Sequence, residues 1–183
     1  MRIGFDFDKV FVDFPPLVPY KVIDYLYKKK NHVLAYRIPA PFEQHIRIFT
    51  HHQLLRQPIK ENINTLSNIV EQKDIEAFLI SGRFGFLRQK TEKWLKKNHM
   101  EKYFRDVYFN FENEQPHLFK DRILKKLHIE KFIDDDLELL LYLAKQNPNV
   151  KFFWLTDAKN KITQLPKNVT PVKNLKDFSL QYL

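Results

Sequence analysis

The sequence predicts an α/β fold: a Rossmann-like three-layer structure with a parallel sheet between helices, carrying a small helical cap insertion. Three observations predict it. From residue 58 onward, short apolar runs alternate with segments of helical periodicity, as in a parallel sheet covered on both faces. Two of the apolar runs end in clustered carboxylates, at Asp6 and Asp8 and at Asp134-Asp135-Asp136. Sheets of this kind place ligands beyond the carboxyl ends of their strands. Residues 14–57 break the alternation with helical patterns only, directly after the first strand.

Taken in order, residues 2–7 read as the first strand. Residues 19–30 and 42–56 read as two helices, separated by the Pro39-Ala40-Pro41 break. Pro58 suits the first turn of a third helix running to about Glu71. Residues 77–80 form a short apolar strand. Residues 84–98 carry Phe86, Leu87, Lys90, Trp94 and Leu95 at helical spacing. A strand at 107–110 precedes a helix over 116–127 with Leu118, Ile123, Leu124 and Leu127 inward. A strand at 131–134, a helix at 136–146 and an aromatic strand at 151–155 follow, and the tail holds a last strand at 169–172. The division implied is a core of residues 1–13 and 58–183 and a cap of residues 14–57.

Composition bounds the function. The 183 residues fit one domain with an insertion, and 44% hydrophobic and 15% aromatic content can bury a sizeable core. The absence of cysteine excludes disulfides and thiolate zinc sites and suits a reducing cytoplasm. No apolar stretch approaches the roughly 20 residues of a membrane span. The chain runs straight into Asp6 without the pattern of a signal peptide. The expectation is a cytoplasmic protein with no membrane partner. Lys and Arg total 31 against 22 acidic residues, a net charge of +9. The basic groups are scattered (Lys28-Lys29-Lys30, Lys96-Lys97, Lys125-Lys126), so they read first as solvated faces and favourable helix ends. Attraction of anionic substrates or nucleic acid is the second reading.

Four elements could carry chemistry. Asp6 and Asp8, at i and i+2, point to one side of a strand. They are turn-capping aspartates, or a pair in which one attacks phosphorus and the other moves a proton. Ser81, before Gly82-Arg83, is a helix N-cap or a donor to phosphate oxygen, and the two roles are compatible. Lys120 precedes the second acidic tip by one helix, where it could balance an acidic site. Asp136 reads as the cap of the next helix, leaving Asp134 and Asp135 as ligands for Mg2+, which prefers oxygen.

In this order, Asp6-Phe7-Asp8-Lys9-Val10, Ser81 after Leu79-Ile80, Lys120, and Ile133-Asp134-Asp135 resemble the haloacid dehalogenase superfamily of phosphohydrolases. The Lys120-to-Ile-Asp-Asp spacing is similar to its nucleotidase-like branches. The resemblance implies Asp6 as nucleophile and Asp8 as general acid and base. It implies Ser81 and Lys120 as phosphate binders, and Mg2+ held by Asp6, the Asp8 carbonyl and Asp135 with Asp134. It also implies that residues 14–57 sit as a small cap. Many relatives have glycine where this chain has Lys9. Arg83 is a substrate-contact candidate; Arg37, Arg47 and Arg56 in the insertion could also read substrate charge, although a surface arginine is the first reading of each. Phe152-Phe153-Trp154 read as a buried strand. The seven histidines form no HExxH, and the three glycines, Gly4, Gly82 and Gly85, exclude the usual glycine-rich nucleotide loops.

The expected activity is a magnesium-dependent phosphatase acting on a small phosphate monoester, nucleotide-like esters foremost, through an aspartyl-phosphate. The alternative is a catalytically weak or inactive protein of the same fold that binds nucleic acid or another partner.

Overall fold

The computed structural model describes residues 1–14, 34–157 and 164–183. The helix expected over 19–30 lies outside them. Six strands form one parallel sheet: β1 (Arg2–Phe5), β2 (Glu76–Ser81), β3 (Asp106–Phe109), β4 (Lys131–Asp134), β5 (Lys151–Leu155) and β6 (Val169–Val172). Their order is β3-β2-β1-β4-β5-β6. The chain builds outward from β1 to one edge, returns, and builds outward to the other. The reversal falls between β1 and β4, and in doubly wound sheets such a switch point opens a crevice beyond the strand tips.

The described helices are α1 (Pro41–Thr50), α2 (Lys60–Val70), α3 (Arg88–Lys97), α4 (Pro116–Leu127), α5 (Leu137–Gln146) and α6 (Leu175–Tyr182). Alternating side chains of each strand feed two cores. Ile3, Phe5, Leu79, Ile133 and Phe153 meet Leu66, Ile69, Trp94, Leu175 and Phe178 of α2, α3 and α6. Phe78, Ile80, Phe132 and Phe152 meet Phe119, Ile123, Leu140 and Leu143 of α4 and α5. This is why the strands read as continuous apolar runs: both faces are covered.

Several expected boundaries shift. The first strand stops at Phe5 because residues 7–12 fold back as a turn, with the Phe11 amide donating to the Phe7 carbonyl at 3.0 Å. Lys9 occupies the left-handed region at φ 59°, where glycine would meet no Cβ penalty. Its ammonium pairs with Asp13 at 2.7 Å. Pro58 starts no helix; it bridges Val12, and α2 begins at Lys60. The helix expected over 42–56 ends at Thr50. The segment after Ser81 is a 3-10 turn, Gly85–Leu87, before α3. Leu118 is 47% exposed rather than inward, because the buried stripe of α4 runs through Phe119, Lys120, Ile123 and Leu124. The tail adds α6, capped by the Asn174 side chain, which accepts from the Asp177 amide at 2.8 Å.

Candidate active site

The strand tips converge as the alternation implied. Asp6 follows β1, and its amide still donates to the Ile133 carbonyl of β4 at 2.9 Å. Asp134 ends β4 and Ser81 ends β2. Lys120 lies one turn into α4, whose start is fixed by Pro116 in its first turn. Its Nζ donates to Asp6 Oδ1 and to Asp134 Oδ2, both at 2.6 Å. All three groups are buried. Asp134 also accepts from the Asp136 amide at 3.0 Å through Oδ1. Asp136 caps α5 as the sequence suggested, accepting from the Leu139 amide at 3.3 Å.

Oxygens of Asp6, Asp134 and Asp135 lie within 4.8 Å of one another. Three carboxylates against one lysine leave the cluster electron-rich. Burial, against which Lys120 works, with Asp134 and Asp8 adding repulsion, pushes Asp6 up to about 7. Burial first, then Asp134 and Asp6, raise Asp135 well above the usual carboxylate range. Burial also works against charge on Lys120, but Asp134 and Asp6 outweigh it and hold the ammonium protonated. A donor set made only of carboxylate oxygens, under mutual repulsion, fits a hard divalent cation such as Mg2+.

Asp8 behaves differently. The sequence put Asp6 and Asp8 on one side of a strand; the strand has ended, and the two carboxylates meet different partners. Asp8 accepts from Arg83, Nε to Oδ2 at 2.7 Å and Nη2 to Oδ1 at 2.6 Å, and also from Arg56 Nη2. Burial opposes its ionisation, but the Arg83 and Arg56 guanidiniums prevail and hold it well below the usual carboxylate range. The Asp8 side chain lies outside the acidic trio.

Ser81 Oγ accepts from the Arg83 amide at 3.4 Å and does not cap a helix. Arg83 is buried, lies over the Phe7 ring at 4.4 Å, and donates to Thr91 Oγ1 at 2.9 Å. Asp6, Asp8, Ser81, Arg83, Lys120 and the Asp134-Asp135-Asp136 run line one open pocket.

The same pocket holds residues the sequence reading missed. Surface placement, the first reading of Arg47 and Arg56, fails: they are 7% and 2% exposed and line the pocket with His51, as the substrate-facing alternative required. Burial, then Arg83 and Arg56, hold the His51 imidazole well below its ordinary value. Arg37 does remain outside, paired with Glu43. Tyr36 donates from its hydroxyl to Asp136 Oδ2 at 2.8 Å, and its backbone exchanges hydrogen bonds with the Gln115 side chain. Trp154 is half-buried in β5, and its Nε1 donates to the Asp135 carbonyl at 3.0 Å. One signal was available for Arg56: an arginine just before the proline where the chain re-enters the core.

The solved structures that this chain is similar to share its architecture. An uncharacterised protein from Listeria monocytogenes serotype 4b is 14% identical over 96% of this chain and 93% of that one, with a TM-score of 0.55. A haloacid dehalogenase-like family hydrolase from Xanthomonas campestris is 12% identical over 95% and 90% of the two chains, with a TM-score of 0.60. A chain of the Pnkp1/Rnl/Hen1 complex is 12% identical, covering 84% of this chain and 45% of its own length, with a TM-score of 0.55. The likeness is one of fold: this chain has the Rossmann-like fold of haloacid dehalogenase-like hydrolases. No family model matches the chain, and no curated protein matches it.

Proposed function

We propose that the chain is a magnesium-dependent phosphatase acting on a phosphate monoester through an aspartyl-phosphate on Asp6, with nucleotide-like esters as the first substrates to assay. The observation that carries this reading is the position of Asp6. It is buried at the switch point between Lys120 and the Asp134-Asp135 pair, with Ser81 on the neighbouring strand tip. Asp6, Asp134 and Asp135, with the Asp8 carbonyl, would hold Mg2+, which supplies charge screening between carboxylate and phosphate.

An Asp6 oxygen bonds to phosphorus as the ester P–O bond breaks. Ser81 and Lys120 hold the phosphoryl oxygens, and Asp8, ionised in the ligand-free chain, takes up a proton from solvent as the substrate binds and passes it to the leaving oxygen. Water then attacks phosphorus, Asp8 takes its proton, and phosphate leaves as Asp6 is restored. The ionised Asp8 of this structure is the form that this second step needs. Residues 14–57 act as the cap, and the cytoplasm suits a chain without cysteine.

A second reading keeps the fold and binds nucleic acid without chemistry. It draws on the net charge of +9 and on the likeness to a chain of the Pnkp1/Rnl/Hen1 RNA repair complex. The full set of acidic strand tips favours chemistry. Asp6→Asn decides between them. Hydrolysis of a panel of phosphate esters should fall by about three orders of magnitude or more, with cooperative melting retained. Hydrolysis at near the parent rate removes Asp6 as nucleophile. RNA binding that survives moderate salt and is indifferent to this change favours the second reading.

A further inference from the structure

We infer that the substrate carries a second phosphate group besides the one transferred, and that Arg56 and Arg83 read it by exchanging Asp8 for it. The inference rests on the phosphatase reading of the same pocket and names its substrate class.

The two arginines reach Asp8 from different segments of the chain. Arg83 comes from the core, two residues beyond the β2 tip, so Ser81 and the guanidinium share one pocket wall. Arg56 comes from the end of the cap, where its carbonyl accepts from Trp94 Nε1 at 2.7 Å. Both guanidiniums donate to the same oxygen, Asp8 Oδ1. Two cations on one carboxylate oxygen are crowded with like charge, and a dianionic phosphate would satisfy them better than a monoanionic carboxylate. The Nε and Nη2 edge of Arg83 already grips two carboxylate oxygens in a fork, and that fork fits two phosphate oxygens equally well.

The surroundings suit exchange. Both arginine side chains are buried at 3% and 6% exposure, while the Asp8 side chain is 25% exposed and lines the open pocket. The partner is therefore the part that an entering ligand can reach. Phe7 under Arg83 and Phe14 beside Arg56, at 4.4 and 5.2 Å, hold the guanidiniums in place from the apolar side. A clamp tying cap to core needs a single pair; a reader of a second phosphate uses both.

The test is calorimetric binding of adenosine 5′-monophosphate, adenosine 5′-diphosphate and adenosine 3′,5′-bisphosphate to the 183-residue Asp6→Asn chain at fixed ionic strength. At least one of the two doubly phosphorylated ligands should bind about tenfold or more tighter than the monophosphate. Adding Arg56→Gln or Arg83→Gln should remove that preference. Where either variant fails to melt cooperatively, Arg56→Lys and Arg83→Lys, which keep charge but lose the fork, should reduce it by about threefold or more. No preference in the parent, or a preference untouched by the folded variants, overturns the inference. Hydrolysis of these esters by the wild-type chain separates the two readings. Absent hydrolysis with an intact preference sinks the phosphatase alone. Hydrolysis without preference sinks the second phosphate alone.

Discussion

Lys120 is the residue on which the site turns. It is a buried cation with two buried carboxylate partners, so it balances charge as well as offering a donor. Lys120→Met keeps the side-chain volume and leaves Asp6 and Asp134 facing each other. Removing one partner of a buried ionic group typically costs about 3–5 kcal/mol. The loss should be larger at pH 8 than at pH 5.5, because protonation relieves the two carboxylates at the lower pH. Urea unfolding at both values measures it, and a loss below about 0.5 kcal/mol at pH 8 would show that the pair contributes little. In the sequence Lys120 was one lysine among many, and only its place between strand tips singled it out. Arg47 carried no such positional cue and Arg56 only its place two residues before Pro58, since burial of an arginine depends on what the fold lays over it. The departure at Lys9 has a local cause: the turn after Asp8 needs a left-handed residue, and here a lysine takes that conformation.

At the scale of elements, β1 sets the height of Asp6 against Asp134, and Gly4 is what lets its neighbours close on it. A Cβ at Gly4 would lie 2.8 Å from Phe132 Cδ2 and 3.1 Å from Ile80 Cδ1. Gly4→Ala should therefore destabilise the fold by about 1–3 kcal/mol through overpacking. It should also lower turnover, since any shift of β1 against β4 moves Asp6 relative to Lys120. Denaturant midpoint and turnover together check this, and an unchanged midpoint would mean the neighbouring rings move aside freely. The strands were readable because two-sided burial makes each an apolar run. The ends of helices were less so. In α4 Ile123 and Leu124 face inward as their spacing implied, but Leu118 does not, and Phe119 and Lys120 take the inner face of that turn. Helix α6 was overlooked although Asn174, Leu175 and Phe178 supply a cap and an i, i+3 apolar pair.

For the whole molecule, alternation announced a parallel sheet but not its order, since the order depends on crossovers that leave no local pattern. The order matters because it gathers three carboxylates at one crevice, and that gathering links stability to pH and metal. A carboxyl raised in the folded state favours folding most when protonated, so the metal-free protein loses the Asp6 contribution as pH climbs from its ordinary value near 4 through about 7. A divalent cation needs the deprotonated form. The rise in melting temperature given by excess Mg2+ should therefore be small near pH 5 and grow as pH passes through about 7. Melting with Mg2+ and with chelator across pH 5–8 measures it; a gain independent of pH, or none, would place the metal elsewhere.

The central place of β1 has a consequence in time. Its partners on either side, β2 and β4, are distant in the chain: Ile3 pairs with Ala77 and with Lys131, the latter 128 residues on. During synthesis residues 2–5 emerge long before either flank exists, and an apolar strand waits for neighbours. Non-local parallel pairing of this kind is slow and leaves sticky edges exposed in the interim. Asp6 and Asp134 come together only when β4 docks, so no half-made chain can hold the acidic pocket. On the phosphatase reading, hydrolysis recovered on refolding should therefore wait for that closure and lag behind the return of helical signal.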